Sequence, residues 1–156
     1  MMNVYLVQHA QRKSKEEDPE LSLSETGIRN IRKVAAFASS GHLLRPNVIF
    51  HSGKRRAMQT AEILAEYINP EKGISVSDGL QSGDPPSIWI SRIAAASDDI
   101  MLVGHLPHLS RLASGLLCGD QDREIIKFTY AGIVCIRQTE TGGWAAAWIL
   151  TPEIIG

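Results

Sequence analysis

Val4-Tyr5-Leu6-Val7-Gln8-His9-Ala10 is the stretch on which the fold of this chain turns. A run of apolar β-formers that stops at two polar side chains reads as a buried strand, delivering Gln8 and His9 to its carboxyl end. A lone histidine at a strand end is more often bonded to backbone than engaged in chemistry. The rest of the chain shifts that balance.

Downstream, strand and helix patterns alternate. The charged segment Gln11 to Glu20 reads as an exposed loop, from which Arg12 and Lys13 could reach back toward His9. Ser24 is a good N-cap for a helix over Glu25–Ala38, with Ser39-Ser40-Gly41 ending it. Asn47–Phe50 reads as a short strand, followed by a helix that starts near Lys54 and stops at Asn69-Pro70. Ile74–Ser77 is a weak strand, and the prolines of the next loop suit the start of a helix carrying Ile88, Trp89 and Ile93. Asp99–Val103 is a strong strand, and Pro107 opens a helix that ends at Cys118-Gly119. Gly132–Ile136 and Trp144–Leu150, joined across Gly142-Gly143, read as a hairpin. The expected fold is α/β: a single-domain three-layer sandwich over residues 1–156, mostly parallel sheet with helices on both faces and a C-terminal antiparallel hairpin.

Composition narrows the function. The 156 residues carry 16 Lys+Arg against 17 Asp+Glu, a net charge of -1. There is no global basic field, so no nucleic-acid partner is expected and any anion site must be local. No stretch approaches the roughly 20 apolar residues of a membrane span, and the first residues have no basic leader pattern. A cytoplasmic protein with no membrane partner is the expectation. Cys118 and Cys135 have neither metal-ligand spacing nor a disulfide framework and read as reduced core residues.

Ligands of open α/β sheets bind outside the carboxyl ends of the strands, and three polar motifs leave such ends: Gln8-His9, Ser52 to Arg56, and Gly104-His105. Lys54, Arg55 and Arg56 sit where a helix macrodipole disfavours cations by roughly 0.3–1 kcal/mol each, which suits a site built for an anion. The helix N-terminus, the Ser52 hydroxyl and a guanidinium fork make a phosphate site, although single cations of such a cluster often point to solvent. His105 projects from a strand end into the same rim, where it can donate to a phosphoryl oxygen. His108 reads as a neighbour only, and His42 and His51 as loop residues without a role.

Gln8-His9-Ala10, Ser52-Gly53-Lys54-Arg55-Arg56-Ala57-Met58-Gln59-Thr60-Ala61 and Val103-Gly104-His105-Leu106-Pro107 together resemble the three signatures of the histidine phosphatase superfamily, in its order and spacing. The short length, the helix start at Leu23-Ser24 and the tail with Trp144 and Trp148 are similar to its small phosphohistidine phosphatase branch. The resemblance implies a phosphatase that needs no metal or other cofactor and works through a phosphorylated histidine. His9 matches the nucleophile, Arg56 the phosphate-binding arginine and His105 the second histidine. The substrate implied is a phosphorylated protein bearing phosphohistidine, or a small phosphorylated molecule.

Two positions depart from that pattern. Gln8 stands where the family carries arginine, and loss of one good transition-state donor costs about 10²–10³ in rate. Arg12, Lys13 or Arg55 could replace it, with Gln8, Ser52, Arg56 and Arg12 then the candidate phosphate ligands. The second departure is the general acid: the loop after the third strand offers only Asp78 and Asp84, with Asp84 the candidate. An imidazole leaving group tolerates that loss better than an alkoxide, since free histidine titrates near 6.5. Phosphoramidates are favoured on this ground. The alternatives are a weakly active or inactive phosphate-binding member, motivated by Gln8, and a small-molecule phosphomonoesterase.

Overall fold

A computed structural model describes residues Met1–Gly156. Its strands are β1 (Asn3–Gln8), β2 (Val48–His51), β3 (Ile74–Val76), β4 (Ile100–Gly104), β5 (Ile133–Gln138) and β6 (Trp144–Leu150). Its helices are α1 (Glu25–Ser40), α2 (Arg55–Ile68), α3 (Ser87–Ala95), α4 (His108–Cys118) and α5 (Pro152–Ile155). The strands form one sheet in the order β3-β2-β4-β1-β5-β6. β1 pairs in parallel with β4 and antiparallel with β5, so the expected parallel sheet with a C-terminal hairpin at its edge is what forms.

The strand side chains divide the interior in two, because successive residues of a strand point to opposite faces. Tyr5 and Val7 of β1 pack with Ile49, Met101 and Val103 against α1 and α2, where Ile31, Val34 and Leu64 are fully buried. Val4 and Leu6 face the other way, with Leu102, against Trp89 and Ile93 of α3 and Leu109 and Leu112 of α4. Each such aliphatic side chain contributes roughly 1.5–3 kcal/mol by burial. The site is therefore carried on strands whose two faces are both anchored.

Local chemistry fixes the helices that flank the site. Ser24 Oγ accepts the Gly27 N–H at 3.0 Å and caps α1 as expected. Gly27 lies against the loop after β1, where an added Cβ would come 2.0 Å from the Gln11 carbonyl oxygen. Only glycine allows that approach. Asn69 closes α2 in the left-handed conformation, at φ 50°, donating its N–H to the Ala65 carbonyl.

Several sequence expectations are corrected. α1 runs on to Ser40, because the last turn closes through Gly41 N–H to the Phe37 carbonyl, while the Ser39 hydroxyl donates to the Tyr67 carbonyl of α2 and the Ser40 hydroxyl back to the Phe37 carbonyl. β2 and β4 begin one residue later than expected and extend through His51 and Gly104. His51 is thus no loop residue: it is a buried strand residue paired with Val103 and Val76. Cys118, at the C-terminal end of α4, is exposed, whereas Cys135 is buried as expected. The short α5 was not foreseen. No helix is long and apolar enough to cross a membrane.

Candidate active site

β1, β2 and β4 end on one rim, which brings His9, Ser52 and His105 together. The His9 N–H continues the ladder to the Gly104 carbonyl at 3.1 Å. The His9 and His105 rings lie 5.1 Å apart, tilted by 51°. His105 Nε2 is in turn 2.6 Å from Ser52 Oγ, and that oxygen accepts the Lys54 N–H at 3.3 Å. All three side chains are at most 6 % exposed.

The tautomer of His9 follows from its partner. Nδ1 sits 2.7 Å from the Ala10 carbonyl oxygen, which can only accept. The ring proton is therefore on Nδ1, and Nε2 keeps a free lone pair. Burial first of all pushes the His9 pKa down to about 4, with the Arg56 and Arg12 charges adding to it and the Ala10 bond opposing. His105 is pushed down to about 3 by burial, then by His9 and Arg56. Both imidazoles are neutral at pH 7.

Arg56 is in the first turn of α2 and partly buried, and its Nε is buried with no protein partner. Burial and the neighbouring Arg12 charge lower its pKa, with Tyr130 opposing. Arg12 thus stands close enough to be felt by both His9 and Arg56, while its own Nη1 donates locally to the Lys13 carbonyl. The other cations of the cluster do different work. Arg55 forms an exposed ion pair with Glu20 at 3.5 Å, and Lys54 occupies the N-cap of α2 without a side-chain cap.

Asp84 lines a cavity together with Ser52. Its carboxylate accepts the Gln81 N–H at 2.9 Å, and Gln81 Nε2 donates to the Ser52 carbonyl at 2.7 Å. Asp84 thereby latches its loop to the rim. Asp78 is held by Arg92 at 2.8 Å. Gln8 lines a second cavity together with Tyr130 and Thr129, and its Oε1 is buried without a partner. His, Cys, Asp and Glu side chains nowhere gather in threes suited to a metal ion.

A family model, the histidine phosphatase superfamily (branch 1), matches residues 4–82, a span that takes in Gln8-His9 and Ser52 to Arg56. The chain belongs to this superfamily. It is an enzyme of the histidine phosphatase fold, and the solved structures it matches agree over nearly all of both chains. The protein histidine phosphatase SixA complexed with tungstate superposes with a TM-score of 0.85 at 19% identity, over 99% of this chain and 100% of the other. A protein of Agrobacterium tumefaciens assigned as a phosphohistidine phosphatase SixA gives 0.79 at 23% identity, over 97% and 98%. A phosphoserine phosphatase mutant from Entamoeba histolytica, in complex with phosphoserine, gives 0.72 at 13% identity over 98% of each chain. At such identities the likeness is one of fold, and the fold spans both leaving-group chemistries. No curated protein matches the sequence.

Within this histidine phosphatase fold, one residue beside His9 escaped the sequence reading. The Tyr130 ring lies 5.4 Å from that of His9 and is 48% exposed. It is carried by the loop before β5, whose Ala131 N–H bonds to the Gln8 carbonyl at 3.1 Å. The signal was topological: a strand paired antiparallel with β1 must begin where β1 ends. His108, expected only as a neighbour of His105, is fully buried, and neither of its ring nitrogens has a partner.

Proposed function

We propose that the protein is a phosphohistidine phosphatase whose nucleophile is His9. The observation that carries this reading is the bond from His9 Nδ1 to the Ala10 carbonyl at 2.7 Å, which leaves Nε2 unprotonated beside a cationic anion site. In the first step Nε2 attacks phosphorus, a P–N bond forms on His9, and the leaving group departs with the electron pair of its own bond. Arg56, with its unpartnered Nε, holds phosphoryl oxygens, joined by Arg12 and by His105 in its neutral form. Ser52 orients His105 through the 2.6 Å contact. In the second step water attacks the phosphorylated His9 and inorganic phosphate leaves.

The leaving group is best read as a nitrogen heterocycle. Asp84 is committed to the Gln81 N–H and Asp78 to Arg92, so neither carboxylate stands beside His9 to protonate an alkoxide. A phosphorylated protein is the proposed partner, in a cytoplasmic setting. Tyr130, half exposed beside His9, leaves the site open to a side chain presented by another molecule.

The test is chemical trapping. Brief exposure to a labile phosphoryl donor should leave an acid-labile, alkali-stable phosphoryl group on the wild-type protein and none on His9→Ala. Labelling that survives in His9→Ala overturns the assignment.

A further inference from the structure

Next to His9, lined by its chain neighbour Gln8 and by Tyr130, lies a cavity of about 380 Å³. Its polar wall is made by Gln8, Gln11, Asn30, Thr129, Tyr130 and Glu153, and neither lysine nor arginine lines it. Gln8 is 8% exposed, and both its Oε1 and the Thr129 Oγ1 are buried without partners. A buried polar group left unpaired costs about 1–3 kcal/mol, and turning the Gln8 carboxamide so that its oxygen faces the cavity lets a donor there offset that cost. Pro152 of α5 also lines the cavity, and Leu106 and Phe128 complete the apolar side.

We infer that this cavity is the leaving-group subsite, and that it takes the imidazole ring of a phosphohistidine in its imidazolium form, with the ring N–H directed to the Gln8 carboxamide oxygen. The inference rests on the phosphatase reading above and names what departs from phosphorus in it. Arginine carries donors only, whereas glutamine offers both an oxygen and an NH₂. The terminal torsion of Gln8 is of the soft, roughly twofold kind, so a half-turn exchanges the two. A glutamine here thus removes a cation that would repel an imidazolium and supplies an acceptor for its proton. Tyr130 gives that ring a face to lie against, next to His9.

The chemistry closes without an acid. Phosphorus is bonded to one ring nitrogen and the proton sits on the other. When His9 Nε2 attacks, the P–N bond to the substrate breaks and its electron pair stays on the departing nitrogen. The ring leaves as neutral imidazole, already carrying its N–H toward Gln8. An acceptor that favours the protonated ring therefore lowers the barrier to departure, and no carboxylate donor is required.

The experiment compares kcat/KM on a phosphohistidine peptide with kcat/KM on p-nitrophenyl phosphate, whose leaving group has no N–H. The Gln8→Met and Gln8→Arg variants should each lower the peptide-to-aryl ratio at least about tenfold, the size of one lost oriented contact. A ratio within twofold of wild type in both overturns the inference. If the wild-type protein hydrolyses neither substrate, the phosphatase reading fails and the subsite is read by binding instead. Imidazole at pH 6 should then shift the backbone amide signals of Thr129 and Tyr130 in the wild-type protein and not in Gln8→Met. Absence of that difference overturns the subsite by itself.

Discussion

Thr60 ties the loop of His9 to the helix of Arg56: its Oγ1 accepts the Ala10 N–H at 3.0 Å and donates to the Arg56 carbonyl at 2.8 Å. The residue is fully buried. The distance between the lone pair and the guanidinium is thus set by one hydroxyl that spans two elements.

Thr60→Val keeps the volume and removes both bonds, leaving the Ala10 N–H unpaired in the interior. The expected cost is about 1–3 kcal/mol of stability, readable as a lowered urea midpoint with unchanged m-value. Activity should fall by more than the folded fraction does, since misplacing reacting groups by about 1 Å can cost on the order of 10²-fold. A variant with wild-type kcat/KM would show that Thr60 serves stability alone.

β1, β4 and β5 were legible because their apolar runs are buried on both faces, and the three motifs fell on one rim because parallel strands share a carboxyl end. What escaped has identifiable causes. α5 spans Pro152–Ile155, too short to show a helical period. His51 looked like a loop residue because a polar side chain ended the apolar run, yet its backbone stays in register with Val103. Tyr130 and the cavity behind Gln8 depend on a loop meeting β1 across more than a hundred residues of sequence, which no local pattern records. The RAMQTA stretch was read for Arg56, while Gln59 and Thr60 turn out to be the pins, with Gln59 Oε1 accepting the Leu23 N–H at 2.8 Å.

The pH profile follows from His9. Its folded pKa is about 4 against 6.5 for the unfolded chain, so the unfolded state binds the extra proton between those values. Stability owed to this group is intact above pH 6.5 and declines as pH falls toward 4, by roughly 3 kcal/mol at most. His105, also pushed down, acts in the same sense. Urea denaturation at pH 7, 6 and 5 should show the decline, and His9→Asn should remove part of it. The acid limb of kcat/KM assigned to the free enzyme should fall near pH 4; a limb at 6.5 would mean that His9 is solvated and unshifted.

Anion binding separates the cations of the α2 start. Arg56 is partly buried with an unpartnered Nε, whereas Lys54 is exposed and Arg55 is paired with Glu20. Arg56→Ala should weaken vanadate or phosphate binding by about tenfold or more, the worth of a charge-assisted hydrogen bond, and Lys54→Ala by less than about threefold. Isothermal titration at fixed ionic strength measures both. Equal losses would reduce the cluster to a diffuse positive patch.

The position of Gln8 decides how the missing arginine is made good. Arg55 is held by Glu20, which leaves Arg12 as the cation whose charge reaches both His9 and Arg56. If Arg12 supplies what position 8 lacks, Arg12→Ala should lower turnover of an aryl phosphate by roughly 10–10²-fold, the low end for one oriented donor. Adding Gln8→Arg to the wild-type protein should leave that turnover flat or lower, because a third guanidinium would join Arg12 and Arg56 in a partly buried site. Adding Gln8→Arg to the Arg12→Ala protein should instead restore most of the loss, and a double-mutant cycle should give a coupling well beyond additivity. Arg12→Ala with wild-type kinetics, together with a large gain from Gln8→Arg alone, would reject replacement by Arg12 and mark this chain as a weakened phosphatase that a single arginine can repair.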